Sequence, residues 1–260
     1  MNRIKFFKTA IAAILIAATG ALSAQSMTGR DIVEKSYNRP TGDDQVSNLK
    51  MTLINSRGSE RVREIKQFTR DDGKVEKSIM FFLAPADVKN TSFMNFSYSD
   101  DKADDQWIYL PALRKVKRIS SDSKSDYFMG SDFTYDDLGD RKLDEDKHKF
   151  LRSEMLVGKD CYVVESVSKD PDYMYSKTIT WINKKNFIGV KKEFYDEDGE
   201  LLKILHIKKY ENVSGFDIIT HSEMENVQRD HKTKMELSDV EVNIGVSDSK
   251  FSQRMMMRGL

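Results

Sequence analysis

The chain has 260 residues, of which 39% are hydrophobic, enough for one large or two small folded domains. Its 42 basic and 42 acidic side chains cancel, so no strong overall field attracts nucleic acid or an anionic surface. Charged residues make up 32% and apolar side chains recur throughout, which indicates a well-solvated globular protein and excludes a disordered one.

The first residues have the pattern of a secretory signal peptide. Arg3, Lys5 and Lys8 precede an apolar run over residues 9–22, which is short for a membrane span. Small residues follow, so we expect cleavage near residues 23–26 and a mature chain of residues 27–260. No cysteine lies near the cleavage point, which predicts a soluble periplasmic protein without a lipid anchor.

The mature chain begins with a predicted helix, and alternating apolar residues then predict strands. The helix covers about residues 31–37 and ends before Pro40. About ten or eleven strands in adjacent hairpins predict an antiparallel sheet, which must curl or be covered to hide one face. The predicted strand segments lie at residues 49–53, 60–69, 75–83, 92–98, 106–110, 115–120, 149–156, 161–168, 175–182, 188–195, 201–210, 216–227 and 232–242. No linker or internal repeat separates them, so we expect one domain, with a terminal helix within residues 247–257.

The stretch WIYLPALRKVKRI predicts a hairpin whose turn contains Pro111. In the predicted register Tyr109 faces Val116, and Trp107 faces Arg118. A guanidinium over an indole at an exposed site contributes about 0.5–1 kcal/mol. The opposite face pairs apolar residues with Lys115 and Lys117, so the hairpin has one aromatic and one amphipathic face.

Residues 121–149 lose the alternation and combine aromatic side chains with acidic ones. A long irregular segment inside a compact domain is usually functional or partly helical. No catalytic motif, cofactor fingerprint or metal-ligand spacing occurs in the chain, so we expect neither enzyme activity, a cofactor nor a metal site. The single cysteine, Cys161, lies in a strand-like apolar run and is expected to be a buried hydrophobic residue.

Two neighbouring segments together resemble the family of outer-membrane lipoprotein-sorting proteins, relatives of the Lol-type periplasmic lipoprotein carriers. The residues that carry the resemblance are Trp107, YLPALRKV (109–116), RI (118–119), FMGSDF (128–133) and YDD (135–137), with WI (181–182), FY (194–195) and DG (198–199) later in the chain. The resemblance implies a mainly β (α+β) fold: a strongly curved antiparallel sheet forming an incomplete barrel, with short helices over its concave face. In the carriers, acyl chains occupy the space between sheet and helices.

The resemblance implies that residues 27–260 form a single carrier-like domain that binds lipoprotein acyl chains or another lipid in an apolar cavity. The irregular segment is our candidate for a movable cover, because a cavity that loads cargo must open. The 13 methionines suit flexible hydrophobic ligands, although methionine also fills ordinary cores. The residues predicted to line the cavity are Phe81, Met94, Phe96, Trp107, Tyr109, Phe128, Met129 and Phe133.

An alternative is a periplasmic accessory protein that docks on an inner-membrane exporter of the resistance-nodulation-division type, which members of this branch are considered to assist. The predicted docking surface combines the basic strand (Arg114, Lys115, Lys117 and Arg118) with the acidic residues Asp132, Asp136 and Asp137. A third interpretation is that these two groups pair with each other and brace the cover. Exposed pairs contribute only about 0–1 kcal/mol each, so bracing requires several of them.

Overall fold

The computed structural model describes residues 27–260. Within them are two α-helices, thirteen β-strands and six short 3₁₀ turns. The helices are α1 (Gly29–Tyr37) and α2 (Gln253–Arg258). The strands are β1 (Asp44–Ile54), β2 (Glu60–Asp71), β3 (Val75–Ala84), β4 (Ser92–Tyr98), β5 (Asp105–Leu110), β6 (Lys115–Arg118), β7 (Asp146–Leu156), β8 (Lys159–Ser168), β9 (Lys177–Asn183), β10 (Gly189–Tyr195), β11 (Leu201–Val213), β12 (Phe216–Asn226) and β13 (His231–Val242). The predicted signal peptide, residues 1–26, lies outside the described residues.

All the strands belong to one sheet, in the order β6-β5-β4-β3-β2-β1-β13-β12-β11-β10-β9-β8-β7. Strands β1–β6 form one run of antiparallel neighbours and β7–β13 form another, and β1 pairs with β13 to join the two. The edge strands β6 and β7 do not pair with each other, so the barrel stays open. The predicted mainly β, incomplete antiparallel barrel is confirmed. Its thirteen strands correspond to the thirteen predicted segments, so the expected total of about ten or eleven strands was too low.

The β5–β6 hairpin has the predicted register. Tyr109 lies opposite Val116 and Trp107 lies opposite Arg118, while Pro111 begins the 3₁₀ turn between the strands. The predicted guanidinium–indole contact is wrong, because the Arg118 guanidinium forms an ion pair with the Asp105 carboxylate instead. A carboxylate offers a charged acceptor, and charge-assisted hydrogen bonds are stronger than contacts with a ring face at an exposed site.

Side chains alternate between two faces of the sheet, and both faces are covered. Ile65 and Phe82 face each other on what we call the inner face, and the strand register continues this face across the sheet to Val164 of β8. Phe68 and Ile79 face each other on the opposite, outer face. Because both faces are apolar in β2 and β3, each needs its own cover.

The two helices cover different faces. Helix α1 begins with a capping box, in which the Asp31 backbone N–H donates to the Thr28 hydroxyl and the Thr28 backbone N–H donates to the Asp31 carboxylate. Its buried Ile32 packs against Val164 and Ile182, so α1 covers part of the inner face as expected. Helix α2 lies on the outer face, because its buried Met256 packs within the Phe68–Ile79 cluster.

Candidate functional site

The irregular segment predicted as a cover crosses the inner face of the sheet. We call residues 127–138 the inner segment. The Phe128 ring is fully buried, and its centroid lies 5.0 Å from that of Phe93 and 6.0 Å from that of Phe82. Phe133 packs in a second buried cluster with Tyr175 and Phe194. The segment therefore occupies the apolar interior of the open barrel with its own aromatic side chains.

Asp132 anchors the centre of the inner segment to β13. Its carboxylate accepts hydrogen bonds from the Thr233 hydroxyl and lies against His231 Nδ1, both at 2.7 Å. The Asp132 backbone N–H donates to the same Thr233 hydroxyl over 2.9 Å. The Asp132 side chain has no exposed area. A carboxylate buried this completely needs such partners, because burial of an unpaired charge is costly.

Asp137 forms a second anchor with a buried lysine. Its carboxylate lies 2.5 Å from Nζ of Lys203, whose side chain is 0% exposed. The Tyr175 hydroxyl donates to the same carboxylate over 3.1 Å, and the Thr134 backbone N–H donates over 2.7 Å. Burial, together with the Asp137 charge, raises the pKa of Tyr175 well above its usual range, so its hydroxyl stays protonated and acts as a donor.

Asp136 lies at the rim of the same network. Its carboxylate accepts a hydrogen bond of 2.6 Å from the Tyr173 hydroxyl. The Arg141 guanidinium stacks on the Tyr173 ring, 3.7 Å from its centroid, and forms a 2.5 Å ion pair with Asp146. The three acidic residues singled out in the sequence therefore hold the inner segment against β11, β13 and the loop before β9.

The predicted pairing between basic and acidic segments is corrected by these contacts. The acidic residues bind Lys203, His231 and Tyr173 instead of the basic strand. Asp132 and Asp137 are buried, so they do not form a docking surface on the exterior. The basic residues of the predicted surface are all exposed at the free β6 edge: Arg114, Lys115, Lys117 and Arg118.

The residues predicted to line one cavity lie on two different faces. Phe128, Met129 and Phe133 belong to the inner segment and pack on the inner face. The other five pack in the outer cluster beside α2: Phe81, Met94, Phe96, Trp107 and Tyr109. Alternation along a strand separates Phe81 from Phe82, but it does not say which of two apolar faces is the interior.

Three cavities lie along the inner face. One of about 290 Å³ lies beneath the end of the inner segment, between Leu138 and the side chains of Met80 and Met235. One of about 500 Å³ lies between the residues after α1 and Glu76 of β3. A third, of about 200 Å³, lies between α1 and the inner face of β8–β10 and includes Lys192.

The interior contains ionisable residues that the sequence reasoning did not select, namely Lys192, Lys203 and Glu76. The sequence does indicate Lys203 as an unusual residue, because it interrupts the apolar run Leu201–Leu205. Glu76 borders the two larger cavities, and its side chain is exposed there. Partial desolvation by the surrounding walls, assisted by the charges of Asp140, Asp71 and Asp104, raises its pKa from 4.5 to about 7.

Within residues 27–260 no group of three or more histidine, cysteine, aspartate or glutamate side chains is arranged to hold a metal ion. Over the same residues, no helix combines the length and the apolar character needed to cross a membrane. Cys161 is buried in a separate cluster with Val163 and Trp181, and burial raises the pKa of its thiol.

The similarity to solved structures covers most of the chain. A family model described as "Uncharacterized protein" matches residues 74–258, and no curated protein matches. A crystal structure of a Vibrio parahaemolyticus domain described as an outer membrane lipoprotein-sorting protein domain is 33% identical, with a TM-score of 0.83, covering 88% of this chain and 98% of that one. A DUF1329 family protein from Desulfovibrio piger is 29% identical, also with a TM-score of 0.83, covering 88% and 97%.

A LolA superfamily protein from Nitrosomonas europaea shares the fold, with a TM-score of 0.68 and 22% identity over 88% of this chain and 99% of that one. The identity to the Vibrio parahaemolyticus domain and the coverage of both chains confirm the resemblance inferred from the two neighbouring segments. The chain therefore belongs to the outer membrane lipoprotein-sorting protein family.

Proposed function

We propose that this protein binds and carries lipid-like cargo, either lipoprotein acyl chains or another lipid, in the periplasm. The cargo would occupy the interior between the inner face of the sheet and the cover formed by α1 and the inner segment. The observation that carries the proposal is the cavity of about 290 Å³ beneath the inner segment. Its apolar wall is formed by Leu49, Met80, Leu138, Met235 and Leu237.

In this proposal the inner segment moves as a unit when cargo enters. It contains two short 3₁₀ turns, and polar side-chain contacts from Asp132 and Asp137 anchor it to the sheet. Its Phe128 and Phe133 fill apolar positions that acyl chains would take over when cargo enters. Each methylene group that cargo buries contributes about 0.8 kcal/mol, so a long acyl chain offsets the loss of these two aromatic contacts.

The periplasmic location rests on the predicted signal peptide and on the family. The Vibrio parahaemolyticus relative is described as an outer membrane lipoprotein-sorting protein domain. The cargo proposed here would cross an aqueous compartment. Such transit needs an apolar interior that opens reversibly, since exposed acyl chains are unfavourable in water. The proposed role requires binding and release, with no bond made or broken.

The test is lipid binding by the mature protein and by cavity-filling variants. We expect native mass spectrometry of protein purified from the periplasm to show co-isolated lipid. We also expect saturable uptake of a phospholipid with a fluorescent acyl chain. Met80→Trp and Leu237→Trp should reduce uptake several-fold, because both side chains line the cavity beneath the inner segment.

The matched control is Met155→Trp, because Met155 is 65% exposed on the edge strand β7. Thermal unfolding of each variant shows whether it is folded. Two cavity variants are used so that the test still holds if one of them fails to fold. Absence of co-isolated lipid together with absence of saturable uptake by the wild-type protein would contradict the proposed function.

A further inference from the structure

Lys192 extends from β10 into the interior beneath α1. Its neighbours across the inner face are Thr180 of β9 and Leu205 of β11. The side chain borders the cavity of about 200 Å³, which α1 closes from above with Val33 and Tyr37. The Lys192 side chain is only partly exposed. A lysine in such a position usually has a carboxylate partner, because withdrawing an ammonium group from water is costly.

No such partner is found among residues 27–260. The carboxylates whose charges act on Lys192 are those of Asp137 and Asp146. Each of them already forms a 2.5 Å ion pair with another cation, Asp137 with Lys203 and Asp146 with Arg141. Three cations therefore share two carboxylates in this part of the interior, and the ammonium group of Lys192 is the one left over.

Burial disfavours the charged form of Lys192 and lowers its pKa, and the neighbouring Arg141 and Lys203 act in the same direction. An anion in the cavity would reverse this imbalance, because it would supply the missing negative charge at short range. Arg141, Lys142 and Asp146 also border the cavity, so together with Lys192 its wall has three cations and one carboxylate, and that carboxylate is paired with Arg141.

The remaining wall of the cavity combines two kinds of surface. The hydroxyl groups of Ser36, Thr178 and Thr180 provide hydrogen-bond donors for an oxyanion. Val33, Leu143 and Ile182 provide apolar contacts on the same cavity. A small inorganic ion would use the first kind of surface alone, whereas an amphiphile with an anionic head group would use both.

We propose that Lys192 binds the anionic head group, a carboxylate or a phosphate, of an amphiphilic ligand held beneath α1. This assignment rests on the proposed function and specifies the class of cargo. The ammonium group and the neighbouring hydroxyls hold the head group, and the alkyl chain contacts the apolar wall.

The experiment compares four probes by calorimetric titration: octyl phosphate, octanoate, 1-octanol and inorganic phosphate. We expect the wild-type protein to bind octyl phosphate and octanoate about tenfold or more tightly than 1-octanol, as a charge-assisted contact implies. Lys192→Met should remove this preference and leave the affinity for 1-octanol unchanged. The variant should fold, because it loses a partly exposed charge that has no carboxylate partner.

Lys191→Met is the matched control. Lys191 is the adjacent residue on the other face, where its ammonium group pairs with Glu193 at 2.7 Å and lies 4.3 Å from the Trp181 ring centroid. Its loss should leave the preference for anionic probes unchanged. Thermal unfolding of both variants separates a loss of binding from a loss of folding.

Each other outcome has a distinct meaning. Equal affinity of the wild-type protein for octyl phosphate and 1-octanol, or an unchanged preference in Lys192→Met, would overturn the anionic site while leaving lipid binding intact. Inorganic phosphate that binds as tightly as octyl phosphate would support the anion site and contradict an amphiphilic ligand. If no amphiphile binds, the proposed function fails as well.

Discussion

At the scale of single residues, two lysines on adjacent strands have different roles in the interior. Lys203 on β11 has a buried carboxylate partner, whereas Lys192 on β10 borders a cavity and has no such partner among residues 27–260. The first lysine fixes the inner segment in place, and the second is available to a ligand. The same side chain thus has a structural role in one position and a proposed binding role in the next.

We expect Lys203→Met to destabilise the protein by about 3–5 kcal/mol, because the substitution leaves the buried Asp137 carboxylate without its cation. Chemical denaturation at neutral pH measures this change in the free energy of unfolding. The double variant Lys203→Met/Asp137→Leu should recover part of the loss, since it removes both charges together.

The control for this prediction lies on the same strand. Lys209 pairs with Glu211 at 2.7 Å, but the two side chains are 53% and 47% exposed. Lys209→Met should therefore change the free energy of unfolding by no more than about 0.5 kcal/mol. Equal effects of the two substitutions would show that burial does not set the strength of the Lys203–Asp137 pair.

At the scale of elements, sequence reasoning succeeded where contacts are local. The β5–β6 hairpin has its predicted register because a turn with Pro111 fixes which residues of neighbouring strands face each other. No local rule of this kind predicts where the inner segment packs. Asp132 meets Thr233 across 101 residues of sequence, and neither alternation nor turn chemistry indicates that contact.

The assignment of the two faces shows the same limit. Phe81 and Phe82 are both buried, and the alternation correctly puts them on opposite faces. The sequence predicted one cavity bounded by both the Phe81 face and the inner segment, whereas α2 covers the Phe81 face and the inner segment covers the other. Only the path of the chain after β6 and after β13 decides which face becomes the interior.

We expect α2 to stabilise the outer face through Met256. Met256→Ala should lower the free energy of unfolding by about 2–5 kcal/mol, because the side chain is fully buried among Phe68, Phe81 and Met94. Met257, the next residue, is 51% exposed, so Met257→Ala should have an effect within about 0.5 kcal/mol. Urea unfolding of the two variants measures the difference, and similar values would contradict the packing of α2 on this face.

At the scale of the whole molecule, the interior of the open barrel has two electrostatic regions. Glu76, Asp71 and Asp140 border the cavity of about 500 Å³ on the β2–β3 side. Lys192, Arg141 and Lys142 border the cavity of about 200 Å³ on the β8–β10 side. Tyr37, at the end of α1, borders both cavities, and its hydroxyl donates to the Asp140 carboxylate. A ligand that enters beneath α1 therefore meets an acidic region on one side and a basic region on the other.

The acidic region makes stability depend on pH. Glu76 has a pKa of about 7 in the folded protein against 4.5 as its usual value. Between these two pH values the unfolded chain has lost the Glu76 proton while the folded protein retains it. The folded state then binds more protons, so the free energy of unfolding decreases as pH rises through this window and levels off above it.

Glu76→Gln should remove this part of the decrease, because glutamine stays neutral throughout. Its effect should remain below about 1 kcal/mol, since Glu76 borders an open cavity where solvent screens its charge. Urea unfolding at about pH 5 and about pH 8 measures the decrease in the wild-type protein, in Glu76→Gln and in the exposed control Glu60→Gln. A decrease of the same size in wild type and Glu76→Gln would mean that Glu76 loses its proton at the same pH in both states. The surroundings of Glu76 would then be as well hydrated as the protein surface.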